Sequence, residues 1–377
     1  MKNVFRILLA AMLVLAMLLT MTACSNTEKA EKPAESEAPA AEKSESAESD
    51  KPYAGTELVV FNWYDYIDPA VIELFEDETG VKISYVNFTT NEEMYTKLEA
   101  GAGTYDVIFP SEYMIERLLK EDLLAELNLA NIPNLANVLD NLKNPSYDPN
   151  NAHSIPYMWG TLGILYNTEK VTSPVDSWKV LFDAQYKENV FMMNSIRDTI
   201  GLGLKTLGYS LNTRDEAQLK EAGDMLVKQK QDGLVAGYIL DETKDKMAAN
   251  EAALAVVYSG DALYAMDKND KLAYAVPNEG SNIWVDGMCI PKGSKNQAAA
   301  ECFINFMCRD DIAKMNMDYI RYSSPIKAVV ENLSEEDAAN AALNPSQDVI
   351  ARCEYFNDIS DCMELYDKIW MEIRMAR

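Results

Sequence analysis

The chain of 377 residues has a single histidine, His153, and far fewer basic than acidic residues. One histidine excludes metal sites with two or more histidine ligands, and it leaves a Ser-His-Asp hydrolase dependent on His153 alone. Lys and Arg number 34 against 60 Asp and Glu, which gives a formal net charge of −26. Nucleic-acid-binding proteins need clustered basic residues, so this deficit argues against nucleic acid as a partner.

Cysteine is also scarce, with six residues and no Cys-x-x-Cys pair. The spacing therefore gives no support to a zinc site or a thioredoxin-like redox motif. Cys302 and Cys308 fall on an apolar stretch with helical periodicity and are expected to be small core residues. Cys353 and Cys362 could pair across a turn, and their spacing leaves that open. We expect neither a metal nor a cofactor.

A long apolar run, residues 7–21, follows two positive side chains near the N-terminus. A positive start, an apolar middle and small residues at the cleavage point are typical of a secretory signal, here residues 1–23. A transmembrane anchor is the alternative, but the run is short for a span of about 20 residues and no stop-transfer cluster follows it. The sequence Met21-Thr22-Ala23-Cys24 resembles a bacterial lipobox, which implies a lipoprotein signal peptide, cleavage before Cys24 and lipidation of that residue.

Residues 24–53 are almost entirely Ser, Glu, Ala, Lys and Pro. Such a segment cannot bury enough apolar area to offset its ordering entropy, so we predict a disordered tether that begins at the lipidated Cys24. A helical interpretation of its Ala and Glu stretches is interrupted by Pro33 and Pro39. The folded region is therefore expected to start near residue 54.

Beyond the tether, strand and helix patterns alternate. The first series has strands at 58–61, 81–86 and 106–109 and helices at 69–79, 91–100 and 113–120. The second has strands at 190–193, 253–258, 272–276 and 283–290 and helices at 196–207, 216–229 and 297–309. Alternation of this kind is typical of a mostly parallel sheet covered by helices.

Two such series, joined through Pro156-Tyr157-Met158-Trp159-Gly160, predict an α/β protein of two lobes with a cleft between them. The predicted first lobe comprises residues 54–160 and 286–330. The predicted second lobe comprises residues 161–285 and 331–377.

Aromatic residues and carboxylates recur where the predicted strands end, which is where open α/β sheets bind ligands. The segments are Asn62-Trp63-Tyr64-Asp65-Tyr66, Pro110-Ser111-Glu112-Tyr113, Asn194-Ser195-Ile196-Arg197-Asp198, Tyr258-Ser259-Gly260-Asp261 and Trp284-Val285-Asp286. Aromatic faces attract cations and tolerate methylene chains, and carboxylates accept hydrogen bonds from ammonium groups. Together these residues predict a slot for an elongated cation such as a diamine or a polyamine.

Each residue also has an ordinary structural interpretation. Trp63, Tyr66 and Trp284 could be core aromatics. Asp261 could cap the start of a helix, and Asp198 could lie in a first helical turn. The residues by themselves therefore leave the ligand open.

Longer segments resemble the spermidine/putrescine-binding proteins of ABC transporters, over essentially all of residues 56–377. The resemblance is carried by Phe61-Asn62-Trp63-Tyr64-Asp65-Tyr66, Phe75-Glu76-Asp77-Glu78-Thr79-Gly80-Val81-Lys82, Asn91-Glu92-Glu93-Met94-Tyr95, Tyr105-Asp106-Val107-Ile108-Phe109-Pro110-Ser111, Ser154-Ile155-Pro156-Tyr157-Met158-Trp159-Gly160, Leu207-Gly208-Tyr209-Ser210, Trp284-Val285-Asp286 and Tyr319-Ile320-Arg321-Tyr322-Ser323-Ser324-Pro325. It implies a periplasmic-binding-protein-like fold, in which two α/β lobes with hinge crossings enclose a central ligand cleft.

The resemblance also implies which residues bind the ligand: Trp63, Asp65, Tyr66, Ser111, Tyr113, Asp198, Tyr258, Asp261, Trp284, Asp286 and Tyr322. In this scheme the carboxylates pair with ammonium groups, the aromatic rings hold the methylenes, and the hydroxyls add hydrogen bonds. Ser195 and Phe356 stand where spermidine-preferring relatives can carry Asp and Gln. Both departures leave the length of the preferred amine open.

The function implied is capture of spermidine or putrescine outside the cell and delivery to an ABC permease and ATPase complex, with no bond made or broken. The protein is expected to be a monomer held by lipid on the outer face of the cytoplasmic membrane, or in the periplasmic space if the cell has an outer membrane. A receptor for another organic cation is the first alternative. A surface glycoside hydrolase with paired carboxylates is the second, although four candidate acids spread over both lobes exceed a catalytic pair.

Overall fold

The computed structural model describes residues 51–101 and 103–377. The predicted signal peptide, the predicted lipidation site at Cys24 and the tether up to residue 50 lie outside the described residues.

The described residues form nine β-strands. They are β1 (Glu57–Trp63), β2 (Lys82–Phe88), β3 (Val107–Ile108), β4 (Ser154–Asn167), β5 (Val190–Met193), β6 (Val235–Ile239), β7 (Leu254–Tyr258), β8 (Leu272–Ala275) and β9 (Ile283–Cys289).

Thirteen α-helices lie in the same part of the chain. They are α1 (Pro69–Thr79), α2 (Asn91–Ala100), α3 (Glu112–Lys120), α4 (Ile196–Thr206), α5 (Glu216–Gln231), α6 (Glu242–Ala248), α7 (Ser259–Lys268), α8 (Gln297–Met307), α9 (Asp310–Ile320), α10 (Lys327–Glu331), α11 (Glu335–Ala339), α12 (Gln347–Ile350) and α13 (Met363–Met375). Short 3-10 helices occur at Leu129–Asn131, Pro133–Asn137, Asp140–Leu142, Pro149–Asn151, Trp178–Phe182, Ala184–Tyr186 and Ser360–Cys362.

Helix α1 illustrates how local sequence sets these boundaries. Asp68 caps its start by accepting the Ala70 N–H at 2.9 Å, and Pro69 occupies the first turn, where its missing N–H costs nothing. Gly80 ends the helix with a left-handed φ of 72°, a conformation that glycine adopts without a steric penalty. The predicted helix over 69–79 is confirmed.

The nine strands form one continuous sheet in the order β2-β1-β3-β9-β4-β7-β5-β6, with β8 also paired to β4. Strand β1 runs parallel to β2 and β3, and β5 runs parallel to β6 and β7. These two parallel groups are linked through the antiparallel strands β4 and β9. The predicted alternation of strands and helices is confirmed. The sheet, however, is mixed rather than mostly parallel, because β4 pairs antiparallel with β7, β8 and β9, and β9 also pairs antiparallel with β3.

Strand β4 is the longest strand that the sequence pattern missed; strand β6 was also not predicted. Residues 156–160, expected to be a link between two series, lie inside this strand of 14 residues. Its first half pairs with β9 up to Thr161, and its second half pairs with β7 from Leu162 onward. The strand is buried on both faces over most of its length, so no alternation of apolar and polar residues marks it.

Two α/β lobes follow from this arrangement, each with its own main hydrophobic cluster. The first cluster contains Phe75 and Phe303 and packs around β1, β3 and β9. The second contains Trp178 and Tyr366 and packs around β5, β7 and the second half of β4. Residues 342 and 343, inside the segment that the sequence assigned to the second lobe, pack in the first cluster.

The five described cysteines are free. Cys353 and Cys362, whose pairing the sequence left open, are not bonded to each other. Cys308 is buried and Cys302 is half-buried, both on or next to α8 as expected for small core residues.

Candidate functional site

Asp286 is the best-defined acid of the candidate site. It lies in the middle of β9 with only 6% of its surface exposed. The Tyr66 hydroxyl donates to its Oδ2 at 2.7 Å, and the Ser111 hydroxyl donates to its Oδ1 at 2.6 Å. Burial raises the pKa of Asp286 to about 6, against the opposing effect of these two hydrogen bonds.

The topology explains why these three residues meet. Tyr66 follows β1 and Ser111 follows β3, two neighbouring parallel strands whose carboxyl ends share one edge of the sheet. Ser111 also forms an isolated antiparallel bridge with Asp286, and the Gly287 N–H donates to the Pro110 carbonyl at 2.9 Å. The backbone therefore fixes the carboxylate opposite both hydroxyls.

Asp198 is the corresponding acid of the second lobe. It lies in the first turn of α4 and is 4% exposed. The hydroxyls of Ser195 and Tyr258 donate to its Oδ2 at 2.5 and 2.9 Å, while Oδ1 is buried with no hydrogen-bond partner among the described residues. Burial is the largest influence on Asp198 and raises its pKa. A buried carboxylate oxygen without a donor is a site where an incoming N–H group would be stabilised.

A continuous row of aromatic rings connects the surroundings of the two acids. Tyr258 and Trp284 have centroids 6.1 Å apart, and Trp284 and Tyr322 have centroids 4.8 Å apart, both edge to face. Tyr322 in turn lies 6.0 Å from Tyr66. The buried Trp284 Nε1 has no hydrogen-bond partner within the part of the chain that the structure describes.

Glycine allows this row to pack closely. A Cβ at Gly260 would lie 2.2 Å from carbons of the Tyr322 ring, and a Cβ at Gly160 would lie 2.7 Å from the Trp284 indole. Gly160 is also the residue directly paired with Trp284 across the β4–β9 ladder. Both rings therefore rest directly on backbone.

A second polar group in the first lobe surrounds Tyr113. The Asn91 amide donates to the hydroxyls of Ser111 and Tyr113, each at 3.1 Å. The Tyr113 hydroxyl donates to Glu92 Oε1 at 3.1 Å. Asn91, the first residue of α2, thus joins Tyr113 to the network of Asp286, a role that the sequence analysis did not predict.

Two predicted ligand residues at the end of β1, Trp63 and Asp65, differ in their burial and contacts. Trp63 is half-buried, donates from Nε1 to the Phe109 carbonyl at 2.8 Å and packs on Phe88 at 4.5 Å between centroids. Asp65 is exposed and has a left-handed φ of 47°. The structure does not join Asp65 to the hydrogen bonds around Asp286 or Asp198.

Asp261 lies in the first turn of α7, inside the helix rather than at its cap. Its carboxylate pairs with Lys244 Nζ on α6, and Nζ lies 3.4 Å from Oδ1. Burial raises the pKa of Asp261, while Lys244 lowers it. Asp261 therefore already has a cation beside it, unlike Asp198 and Asp286, whose hydrogen bonds come from hydroxyls.

Glu112 is the main residue that sequence reasoning missed. It is 1% exposed and accepts the N–H groups of Val285 and Phe356 at 3.1 and 3.2 Å. Val285 lies between Trp284 and Asp286, so this carboxyl group holds the strand that carries both. Burial raises the pKa of Glu112 to about 8.

Phe356 lies between Glu112, which accepts its N–H, and Arg197 of the second lobe, which covers its ring. It is buried, and the Arg197 guanidinium lies 4.3 Å above its ring. Arg197 is held by the Asn357 carbonyl and by Asn212 Oδ1, each at 3.0 Å. The arginine is thus committed to packing Phe356 rather than to an ion pair with a carboxylate.

The chain matches the family model described as bacterial extracellular solute-binding protein over residues 70–345. The chain belongs to this family. Two lobes joined through β4 and β9, with acids and aromatic rings between them, are the architecture of such a solute-binding protein.

Among curated relatives, this solute-binding protein is 31% identical to the spermidine/putrescine-binding periplasmic protein of Salmonella typhimurium, over 85% of this chain and 92% of the relative. It is 28% identical to the putrescine-binding periplasmic protein PotF of Escherichia coli, over 78% of this chain and 85% of that protein. Among solved structures, it is similar to the spermidine/putrescine ABC transporter substrate-binding protein PotD of Streptococcus pneumoniae. That likeness has a TM-score of 0.78 and 39% identity, and it covers 85% of this chain and 99% of the other. These relatives are transport proteins and are not named as enzymes.

The described residues contain no group of three or more His, Cys, Asp or Glu side chains arranged to hold a metal ion. Across 51–101 and 103–377, no helix is both long and apolar enough to cross a bilayer.

Proposed function

We propose that this solute-binding protein is the polyamine-capturing component of an ABC importer, with putrescine, spermidine or both as its ligand. One observation carries the proposal: the two lobes each contribute a buried carboxylate, Asp286 and Asp198, whose hydrogen bonds come from neutral hydroxyls. Burying a carboxylate is costly unless a cation or donors compensate it. A diammonium ligand supplies one cation to each lobe.

The aromatic row supports an elongated ligand rather than a compact one. Tyr258, Trp284 and Tyr322 offer ring faces and edges along the path between the two acids. Methylene chains pack well on such surfaces, and ammonium groups are attracted to them. The names of the relatives, which are polyamine-binding proteins, point to the same ligand class.

The mechanism follows from the two lobes. An amine bound first by the Asp286 side gains its second carboxylate when the Asp198 side approaches, so ligand favours the closed arrangement. The closed protein then delivers the amine to the membrane permease and its ATPase. The proposal retains the remaining predicted contacts as ligand-binding residues: Trp63, Asp65, Tyr66, Ser111, Tyr113 and Asp261.

Titration calorimetry with putrescine, spermidine, agmatine and choline tests the ligand class. We expect heat with at least one of the first two and none with choline. Asp286→Asn should weaken polyamine affinity about a hundredfold or more, because it removes a buried charge that the ammonium compensates. Asp224→Asn is the matched control, since Asp224 pairs with Lys220 on the exposed surface of α5. Absence of heat with any polyamine, at normal folding by circular dichroism, would refute the proposal.

We further propose that the protein acts as a monomer and is held at the cell surface by lipid on Cys24. The basis is the lipobox-like sequence before Cys24 and the polar tether after it. Cys24→Ala should move the protein from the membrane fraction to the soluble extracellular or periplasmic fraction. Retention of the variant in membranes after a high-salt wash would contradict the anchor.

A further inference from the structure

Helix α3 carries a row of three polar side chains along one face. Glu112, Glu116 and Lys120 are spaced four residues apart, so their side chains follow one another on the helix surface. The buried side chains of Met114 and Leu118 pack elsewhere, in a hydrophobic cluster with residues of β1, β2 and β3. Helix α3 is therefore fixed to the first lobe, and its polar row is left for other contacts.

Residues 356–358, here called the strap, run along this polar row. The Asp358 N–H donates to Glu116 Oε2 at 2.7 Å. Lys120 Nζ lies 3.0 Å from Asp358 Oδ2 and 2.9 Å from Glu116 Oε1. Glu112 accepts the first N–H of the strap at 3.2 Å. All three side chains of the row therefore contact this one short segment.

The second lobe holds the same strap. The Arg214 guanidinium donates to the Asp358 carbonyl at 2.9 Å, and the Asn357 N–H donates to Asn212 Oδ1 at 2.8 Å. Ile359, the residue that follows the strap, is buried in the hydrophobic cluster of the second lobe. The strap is thus bonded to both lobes at once, outside the proposed ligand contacts.

Asp358 is the residue at which these contacts meet. It is 8% exposed, and its Oδ1 accepts the Ser360 N–H at 3.0 Å, while Lys120 supplies a cation to Oδ2. A buried carboxylate is stabilised only where a cation and donors replace its hydration. Movement of the strap away from α3 breaks the ion pair with Lys120 and the hydrogen bond to Glu116 together.

We propose that Asp358 is a positioning residue that latches α3 to the second lobe and so slows release of the ligand. This inference rests on the proposed function. Helix α3 starts directly after Ser111, whose hydroxyl donates to Asp286, so the latch fixes this end of the cleft against the second lobe. Rotation of the lobes has to break the contacts of the strap with one of them, and release of an enclosed amine requires that rotation.

Replacement of Lys120 by methionine tests the latch, because methionine keeps the unbranched stem and removes the charge. Stopped-flow kinetics with putrescine and spermidine should show release about three- to tenfold faster, a modest factor because the Lys120 side chain is 52% exposed. The association rate should change less than twofold, because no group in the proposed ligand contacts is altered. Small-angle X-ray scattering should show a larger radius of gyration for the ligand-free variant than for the ligand-free wild type.

Lys97→Met is the matched control, since Lys97 pairs at 2.7 Å with Glu93, and both residues lie on α2 in the first lobe. It removes the same charge but should leave both rates unchanged. Asp358→Asn is the second variant if Lys120→Met does not fold, because the amide oxygen can still accept the Ser360 N–H. It should accelerate release to a similar extent. The double variant should release the ligand no faster than the more affected single variant, because both remove one interaction.

The outcomes separate the latch from the proposed function. Wild-type polyamine binding with unchanged release in both single variants would overturn the latch alone. Equal acceleration in Lys97→Met would also overturn it, because the charge of the first lobe would then set the release rate. If the wild type binds neither amine, the proposed function fails. Equal radii of gyration of the ligand-free wild type and Lys120→Met would then overturn the latch as well.

Discussion

Lowering the pH from 7.5 to 5 should weaken polyamine binding through Asp286. Its pKa is raised to about 6 by burial, so the free protein takes up a proton at this carboxyl group below pH 6. The amine stays protonated over the whole range and needs the ionised carboxylate. Affinity should therefore rise with pH through about 6 and reach a plateau above it.

The size of the effect follows from that pKa. At pH 5 the protonated form exceeds the ionised form about tenfold, so ligand affinity falls by roughly an order of magnitude, or about 1.4 kcal/mol. Asp198, whose pKa is also raised by burial, steepens the fall where it titrates in the same range. Binding at pH 5 should accordingly release about one proton or more, and almost none at pH 7.5.

Calorimetry in buffers of different ionisation enthalpy measures both quantities. Asp286→Asn should flatten the profile in addition to weakening the affinity, whereas Asp224→Asn should reproduce the wild-type profile. Equal affinities at pH 5 and 7.5, with no proton released, would show that no buried carboxylate with a raised pKa contacts the ligand.

Three further outcomes are expected. Burial raises the pKa of Glu112 to about 8 from the ordinary 4.5, so this carboxyl group is protonated in the folded protein at neutral pH. The free energy of unfolding measured with urea should therefore fall by roughly 3 to 5 kcal/mol between pH 4.5 and 8, because the unfolded chain ionises first. Glu112→Gln should remove that pH dependence, and an unaltered pH dependence in the variant would contradict the assignment. If Phe356 excludes a longer amine, Phe356→Gln should raise spermidine affinity relative to putrescine in calorimetry, and an unchanged ratio refutes that. Gly260→Ala should lower polyamine affinity at least tenfold, because the added Cβ displaces the Tyr322 ring. Gly237→Ala is the control, since its added Cβ meets only ordinary van der Waals contacts. Equal polyamine affinities of the two variants would contradict a role for the Tyr322 ring.

Local sequence predicted helices such as α1 because caps and breakers are local, but it did not predict strands β4 and β6 or helices such as α9 and α13. Asp68, Pro69 and Gly80 fix α1 at both ends without help from the rest of the chain. Strand β4 escaped prediction because Pro156 and Gly160 interrupt its apolar run, and burial on both faces removes any alternation. Its character depends on β7 and β9, which lie about a hundred residues away in sequence.

The residues of the candidate site likewise fall into those that the sequence predicted and those that it did not. Ser111 and Asp286 were implied as ligand contacts by short segments, and the structure brings them within 2.6 Å of each other. Glu112 and Lys244 carried no such signal, because what matters about each is a partner that folding brings to it. Glu112 resembles an ordinary first-turn acid until β9 and Phe356 surround it. Lys244 resembles a solvated helix residue until α7 places Asp261 beside it.

Strand β4 has a mechanical consequence for this molecule. It changes partner from β9 to β7 between Thr161 and Leu162, close to Gly160, so the proposed rotation of one lobe against the other would twist the backbone there. The indole of Trp284 lies directly on Gly160. In the proposed closing motion, the hinge and one wall of the ligand cleft therefore lie at two neighbouring residues, Gly160 and Trp284. A ligand that fixes the orientation of the Trp284 indole would then act on the angle between the lobes without any intervening side chain.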